Sequence, residues 1–363
     1  MTEQRTARLV AALPYVLATG GAVAYSAAAI FRHDHFGSNA YDLGIFDQTI
    51  WGYSRFELVE NTVLRLPNAL GDHFHPILIA LAPLYWVWDD ARVLLLAQGA
   101  LLALAGIPVF LWARRTLGLL PALAFEAAYL AFWAVLGGSI FDFHELAVAA
   151  PIVSFALYAV LTERTALLLA TTALGLLTRE DLALTFAGIG VYLVVVQRRY
   201  RLGAALVAVS AAWFVAMFKW VIPALAGPGR AYSHWTYTGL GAGPGSALVH
   251  LVAHPIDSVK LFFTPREKVT ALLNLFVPWL GLPLVSPLLI VMLPTLGARF
   301  FSDKPSHWAP QGFHYSLVLA PMLAFAAVDT AARLRRHVHD LAPLAAGAGV
   351  LVVGLYFSFV RLK

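Results

Sequence analysis

The sequence predicts an all-α, polytopic transmembrane bundle of about eleven spans, with two interfacial helices in a long first outer loop. Three observations lead there. Hydrophobic residues make up 60% of the 363-residue chain and charged residues only 12%, where a soluble domain carries about a quarter charged residues. The mean hydropathy is +0.75. Apolar runs long enough to cross roughly 30 Å of hydrocarbon recur from end to end, and lipid admits only spanning segments whose backbone bonds are satisfied internally. The whole chain, 1–363, therefore reads as a single transmembrane domain in contact with the lipid bilayer.

The first apolar run, 9–31, follows Arg5 and Arg8 and is long enough to remain as a helix rather than a cleaved leader. Further helices are expected at 91–113, 120–137, 146–161, 165–178, 181–196, 203–225, 269–282, 284–298, 313–332 and 341–360. The stretch 73–88 is apolar as well, and the distribution of arginines decides its role. If it lies in the interface, the short loops holding Arg5/Arg8, Arg114/Arg115, Arg164, Arg198/Arg199/Arg201 and Arg333/Arg335/Arg336 all face the cytoplasm, as the positive-inside rule requires. Only Glu3, Glu163 and Asp340 accompany those basic residues. The same topology leaves Arg361 and Lys363 outside, against the rule.

An outer segment at about 32–90 then follows the first helix, with surface helices expected at 42–55 and 74–88. Their aromatic residues Phe46, Trp51, Tyr53, Tyr85, Trp86 and Trp88 suit the headgroup level. A second outer loop, about 226–268, is rich in Gly, Pro and aromatics, including Tyr232, His234, Trp235 and Tyr237, and is suited to covering a substrate. The chain has no cysteine, which excludes disulfides, thiolate metal sites and thiol nucleophiles. Its pI near 9.4 follows from the basic inner loops and implies no nucleic-acid partner.

Four polar clusters interrupt the apolar pattern, all on the outer side of this topology. Asp42, Asp47 and Gln48 flank the first surface helix, where Asp42 has the alternative role of helix cap. Asp72, His73 and His75 stand at the second, where Asp72 could equally be a cap. Asp142, His144 and Glu145 open the helix near 146, and groups of this kind beside hydrocarbon need pairing, hydration or a ligand. Arg179, Glu180 and Asp181 join two apolar helices, either as a self-neutralising turn or with the arginine clamping a phosphate. Lys219, which could merely snorkel, and the pair His314-Tyr315 complete the set. A channel or pump would carry such groups along a path through the membrane, and here the middle of the helices is nearly bare.

At Tyr41-Asp42-Leu43-Gly44-Ile45-Phe46-Asp47-Gln48, Gly71-Asp72-His73-Phe74-His75-Pro76, Phe143-His144-Glu145 and Arg179-Glu180-Asp181 the sequence resembles the bacterial and archaeal membrane proteins grouped as domain of unknown function 2079. Arg179 stands where that family usually has lysine. The layout in turn resembles the GT-C glycosyltransferases, with a long acidic first outer loop, two surface helices and further acidic outer loops. What this resemblance implies is transfer of a sugar from a polyprenyl-phosphate donor to a glycan, lipid or protein acceptor on the outer face of the cytoplasmic membrane; it is an analogy of fold.

Such transfer needs a carboxylate to deprotonate the acceptor hydroxyl and cations to stabilise the departing phosphate. The expected roles are Asp42 as general base with Asp47 as alternate, and Arg179 with Lys219 on the phosphate. His73, His75, His144 and Glu145 orient sugar or acceptor, and Gln48, Asp72, Asp142, Glu180, Asp181, His314 and Tyr315 line the substrate site. No cofactor is required by this chemistry. A divalent metal on Asp47, His144 and Glu145 suits the donor types, although no ligand spacing commits to one. The competing readings are a secondary transporter, a non-catalytic lipid-binding protein and a zinc hydrolase, the last lacking a His-Glu-x-x-His helix and a Gly-x-Ser-x-Gly elbow.

Overall fold

The computed structural model describes residues 2–309, 314–336 and 341–361, without the side chains of 2–9 and 361. Asp340 and Lys363, and the side chains of Glu3, Arg5, Arg8 and Arg361, lie outside the described residues. In chain order the helices are α1 (Thr2–Asp34), α2 (Ala40–Ser54), α3 (Leu84–Val87), α4 (Arg92–Leu104), α5 (Gly106–Leu117), α6 (Leu119–Leu130), α7 (Trp133–Ile140), α8 (Leu146–Leu161), α9 (Thr165–Leu176) and α10 (Leu182–Val195). They continue with α11 (Tyr200–Ala216), α12 (Ile222–Ala226), α13 (Pro244–Ala253), α14 (Pro255–Phe263), α15 (Arg266–Phe276), α16 (Leu289–Phe300), α17 (Pro305–Trp308), α18 (Leu319–Arg335) and α19 (Ala342–Arg361). Among the described residues there is no strand, only one antiparallel bridge between Asn61 and Leu66.

Among the described residues, five stretches are long and apolar enough to cross a membrane: Val10–Asp34, Arg92–Leu117, Tyr200–Ala226, His314–Arg335 and Ala342–Val360. Leu119–Leu130 and Trp133–Ile140, bent by 43° at their junction, make a sixth if taken as one span. Arg92–Leu117 and His314–Arg335 are 72% and 78% buried and run through the middle of the bundle, whereas the other three are at most 28% buried and lie at its periphery. The remaining apolar helices are shorter than a full crossing, α8, α9, α10 and α16 among them.

Close backbone approach holds several of these helices together. A Cβ on Gly203 of α11 would lie 2.6 Å from the carbonyl of Gly190 in α10, and one on Gly188 would lie 2.7 Å from the carbonyl of Val291 in α16. Small residues permit this packing where lipid removes the hydrophobic drive between helices. One buried acid stands apart: Glu126 in α6 is fully buried, and neither of its oxygens has a hydrogen-bond partner among the described residues.

The expected surface helix at 42–55 is α2. The one expected at 74–88 is instead two pieces, a tight turn over Pro76–Leu81 and α3, because Pro76 and Pro83 each break and restart the chain. Both pieces pack on α2, and α3 is tied to it by Tyr85 Oη donating to Asp47 Oδ1 at 2.7 Å and Trp86 Nε1 donating to the Ser54 carbonyl at 2.8 Å. The loop expected at 226–268 contains α13 and α14, whose Leu248, Val249, Val252, Ile256 and Val259 are exposed.

The two ends of the bundle differ in chemistry. At one end the arginine-bearing loops are tied down by Arg199 Nη2 to Thr165 Oγ1 at 2.7 Å, Gln197 Nε2 to the Val160 carbonyl at 3.0 Å and Arg335 Nη1 to the Thr116 carbonyl at 3.3 Å. At the other end the acidic and histidine clusters meet.

Candidate functional site

The helix that presents Asp42 is fixed at its start by a buried carboxylate. Asn39 caps α2, its side chain accepting from the Tyr41 amide at 2.8 Å, so the cap is Asn39 and not Asp42. The Asn39 amide in turn donates to Asp142 Oδ2 at 2.6 Å, and Arg32 at the end of α1 donates to Asp142 Oδ1 at 3.1 Å. Asp142 is therefore a structural anchor joining α1 to α2. It does not line the cavity.

That cavity, of about 250 Å³, opens at the polar end of the bundle. Asp42, Asp72, Glu145 and Asp181 supply its carboxylates, and Arg179, Arg299 and Lys304 its cations. His73, His75, His144, His234, His307 and His314 line it too, as do Tyr232 and Tyr315. Four clusters distant in sequence thus converge on one cavity.

A buried ionic network shapes its floor. Arg179 stands 3.2 Å from Glu145 Oε1 through Nη1 and 3.2 Å from Asp181 Oδ1 through Nε, and His144 Nδ1 lies 2.9 Å from Glu145 Oε2. Burial pushes the Glu145 carboxyl up, but His144 and Arg179 outweigh it and hold the group well below the usual carboxylate range. The rings of His144 and His314 stack with centroids 3.3 Å apart, and Gln98 steadies the 141–145 turn by accepting the His144 amide at 3.0 Å.

Glu180 is buried behind the cavity and does not line it; its oxygens tie three regions together. Oε1 accepts from His73 Nδ1 at 2.6 Å and from Tyr232 Oη at 2.7 Å, and Oε2 accepts from the Phe74 amide at 3.1 Å. Asp72 is not a cap either, since the turn Pro76–Leu81 starts after His75 without a side-chain cap; it pairs with His234 Nε2 at 2.8 Å. Burial alone would raise the Asp72 carboxyl, and the bond from His234 with the charge of His73 brings it below its ordinary value. His307 is driven down to about 3 by burial and by Arg179 nearby, so it lines the cavity as a neutral imidazole.

Asp42 is the exception among these acids. Burial raises its carboxyl above the ordinary value, Glu145 and Asp142 add to the rise, and His144 opposes it. A carboxylate so placed is a stronger base than one in water.

Not every expected residue reaches the cavity. Asp47 lies five residues after Asp42, about 140° round the helix at 100° per residue, and faces the other way. With Gln48, Tyr85, Asp89, Asp90 and Arg92 it lines a second, more open cavity. Gln48 is bonded to Thr62, through Nε2 to Oγ1 at 2.8 Å and Oε1 from the amide at 3.0 Å. Lys219 is exposed in a wide turn, Met217–Val221, and lines neither cavity. The expected metal set of Asp47, His144 and Glu145 is split between the two cavities. Among the described residues the donors close enough to share an ion are Asp72, His73 and His234, within 4.8 Å of one another.

Arg299, Lys304 and His307 were not expected at the site. Arg299 is buried at the end of α16, where Nε donates to the His307 carbonyl at 2.6 Å and Nη1 to Ser316 Oγ at 2.7 Å. Among the described residues it has no carboxylate partner. A lone arginine closing an apolar run was the only signal available in the sequence.

A family model described as predicted membrane protein, DUF2079, matches residues 32–362. No curated protein and no solved structure matches the chain. With nearly its whole length covered, the chain belongs to the DUF2079 family of predicted membrane proteins.

Proposed function

We propose that this protein is a membrane-embedded glycosyltransferase of GT-C-like layout, moving a sugar from a polyprenyl-phosphate donor to a glycan, lipid or protein acceptor. In this reading all eleven apolar segments cross the cytoplasmic membrane, the shorter ones as broken spans or where the bilayer thins around them. The arginine-bearing end faces the cytoplasm and the cavity faces outward, in keeping with the positive-inside rule.

The observation that carries the proposal is a buried guanidinium without a carboxylate partner among the described residues, Arg299, in the same cavity as a carboxylate of raised basicity, Asp42. A desolvated positive charge of this kind is suited to an anion, and a planar guanidinium suits a phosphate. In the reaction the acceptor oxygen attacks the anomeric carbon, its proton passes to Asp42, and the bond to the phosphate oxygen breaks. Arg299, Lys304 at the rim and Arg179 take up the negative charge that grows on the leaving phosphate. Tyr315, His314 and His144, packed ring on ring, form the wall of the cavity against which the sugar rests. A secondary transporter finds less support, because the ionisable groups gather at one end of the bundle rather than along its axis.

The test is transfer by purified protein in lipid nanodiscs supplied with a polyprenyl-phosphate sugar. Asp42→Asn should lower the rate at least about 100-fold, the usual scale for loss of a general base, with the fold intact. Wild-type protein that transfers no sugar from any polyprenyl-phosphate donor would rule out the reading, and a fully active Asp42→Asn variant would remove Asp42 from the role.

A further inference from the structure

Asp72 and His73 sit on the connection between two tight turns of the first outer segment, and His234 comes from the loop that follows α12. The three side chains bring donor atoms within 4.8 Å of one another, the His73 and His234 rings stacking at 3.9 Å and 22°. We infer that Asp72, His73 and His234 form a zinc site of the open, three-ligand type, clipping the second outer loop to the first.

Three features of the molecule argue for zinc. The donor set, two imidazoles and one carboxylate with no thiolate, matches the protein ligands of zinc sites that keep a position free for water or substrate. His73 is oriented as metal-binding histidines are: Nδ1 donates to the buried Glu180 Oε1 at 2.6 Å, which leaves the lone pair on Nε2. The same Glu180 oxygen accepts from Tyr232, two residues before His234, so one carboxylate steadies both halves of the clip.

The spacing is close to what an ion demands. Two ligand atoms at about 2.0–2.1 Å from a tetrahedral ion lie roughly 3.3 Å apart. His234 Nε2 and Asp72 Oδ1 are 2.8 Å apart and each of the three residues offers a donor within 4.8 Å of the others; because the two rings stack, one of them turns for both lone pairs to meet a single ion. Because the three residues line the main cavity, the free coordination position opens into it. The inference does not rest on the transferase reading, since its test reads metal content and not transfer.

The full chain, purified in detergent without a polyhistidine tag and stripped with chelator, is reloaded with zinc chloride alone, desalted and analysed by elemental mass spectrometry. The expected result is about one zinc per chain in the wild type and loss of that zinc in His234→Ala and in Asp72→Ala. A double variant, H250A/H254A, removes the histidine pair at the end of α13, whose rings are 5.0 Å apart, and should keep it. Cobalt loaded into wild-type protein should give the intense visible absorption of a tetrahedral site, which needs no variant to fold. Wild-type protein that retains no stoichiometric zinc and shows no cobalt spectrum would overturn the site. So would zinc that survives His234→Ala or disappears with H250A/H254A.

Discussion

The ion pair between Arg179 and Glu145 gives the sharpest physical test of the cavity floor. Glu145 is fully buried and the Arg179 side chain is 10% exposed, with 3.2 Å between Nη1 and Oε1. At an effective dielectric of about 20, Coulomb's law gives roughly 5 kcal/mol of attraction at that distance. Removing one partner of a buried pair typically costs about 3–5 kcal/mol, because the other charge is stranded. Here the loss is softened, since Arg179 keeps Asp181, whose side chain is 37% exposed, and Glu145 keeps His144. Glu145→Gln and Arg179→Met should each destabilise the fold by about 2–4 kcal/mol, and the double variant should fall short of their sum by about 2–3 kcal/mol. Equilibrium unfolding in mixed micelles, followed by tryptophan fluorescence, measures all four proteins of the cycle. A coupling below about 0.5 kcal/mol, the scale of a solvated surface pair, would refute the dry ionic floor described above.

Three further outcomes follow from the geometry. Because burial raises the Asp42 carboxyl and a base works ionised, transfer should fall as pH drops through a midpoint above the ordinary aspartate value of about 3.9. Glu145→Gln should move that midpoint down and His144→Ala should move it up; the opposite shifts in a pH–rate profile would contradict the arrangement. The same raised pKa means that ionised Asp42 costs stability once pH exceeds the unfolded-state value, so Asp42→Asn should melt no lower than wild type at pH 7. Gly71→Ala would set a Cβ 2.5 Å from the Ala226 Cα, a backbone atom that cannot give way, and should destabilise by roughly 1–3 kcal/mol in the same unfolding assay.

Much of the site was legible before the fold was known, and the reason is topological. Arginine placement sorts the loops into two sets, and Asp42, Asp72, His73, Glu145, Arg179 and Asp181 fall in one of them, where the structure brings them to one cavity. What one set of loops does not reveal is direction within it. Asp47 and Asp42 share a helix, yet the helical repeat turns them to different cavities. Asp142 looks from sequence like a partner of His144, and the end of α1 claims it as an anchor through Arg32. The sequence reads 203–225 as one helix carrying Lys219, and Lys219 lies in a wide turn, Met217–Val221, that a regular helical repeat does not describe. Arg299 needed the third dimension, because its neighbours at the cavity come from segments far away in the chain.

The carboxylate of Glu180 joins residue 73, residue 74 and residue 232, and that has a consequence for how the protein is made. Glu180 itself leaves the ribosome about a hundred residues after the first two and about fifty before the last, so in that interval the acid has only the histidine and its neighbouring amide. The chamber is closed only when Tyr232 of the second outer loop arrives, after α11 and α12 have been made. A nascent chain halted before that loop should hold its helices yet leave Glu180 one donor short, and protease cutting at the 73–74 connection would report the moment of assembly.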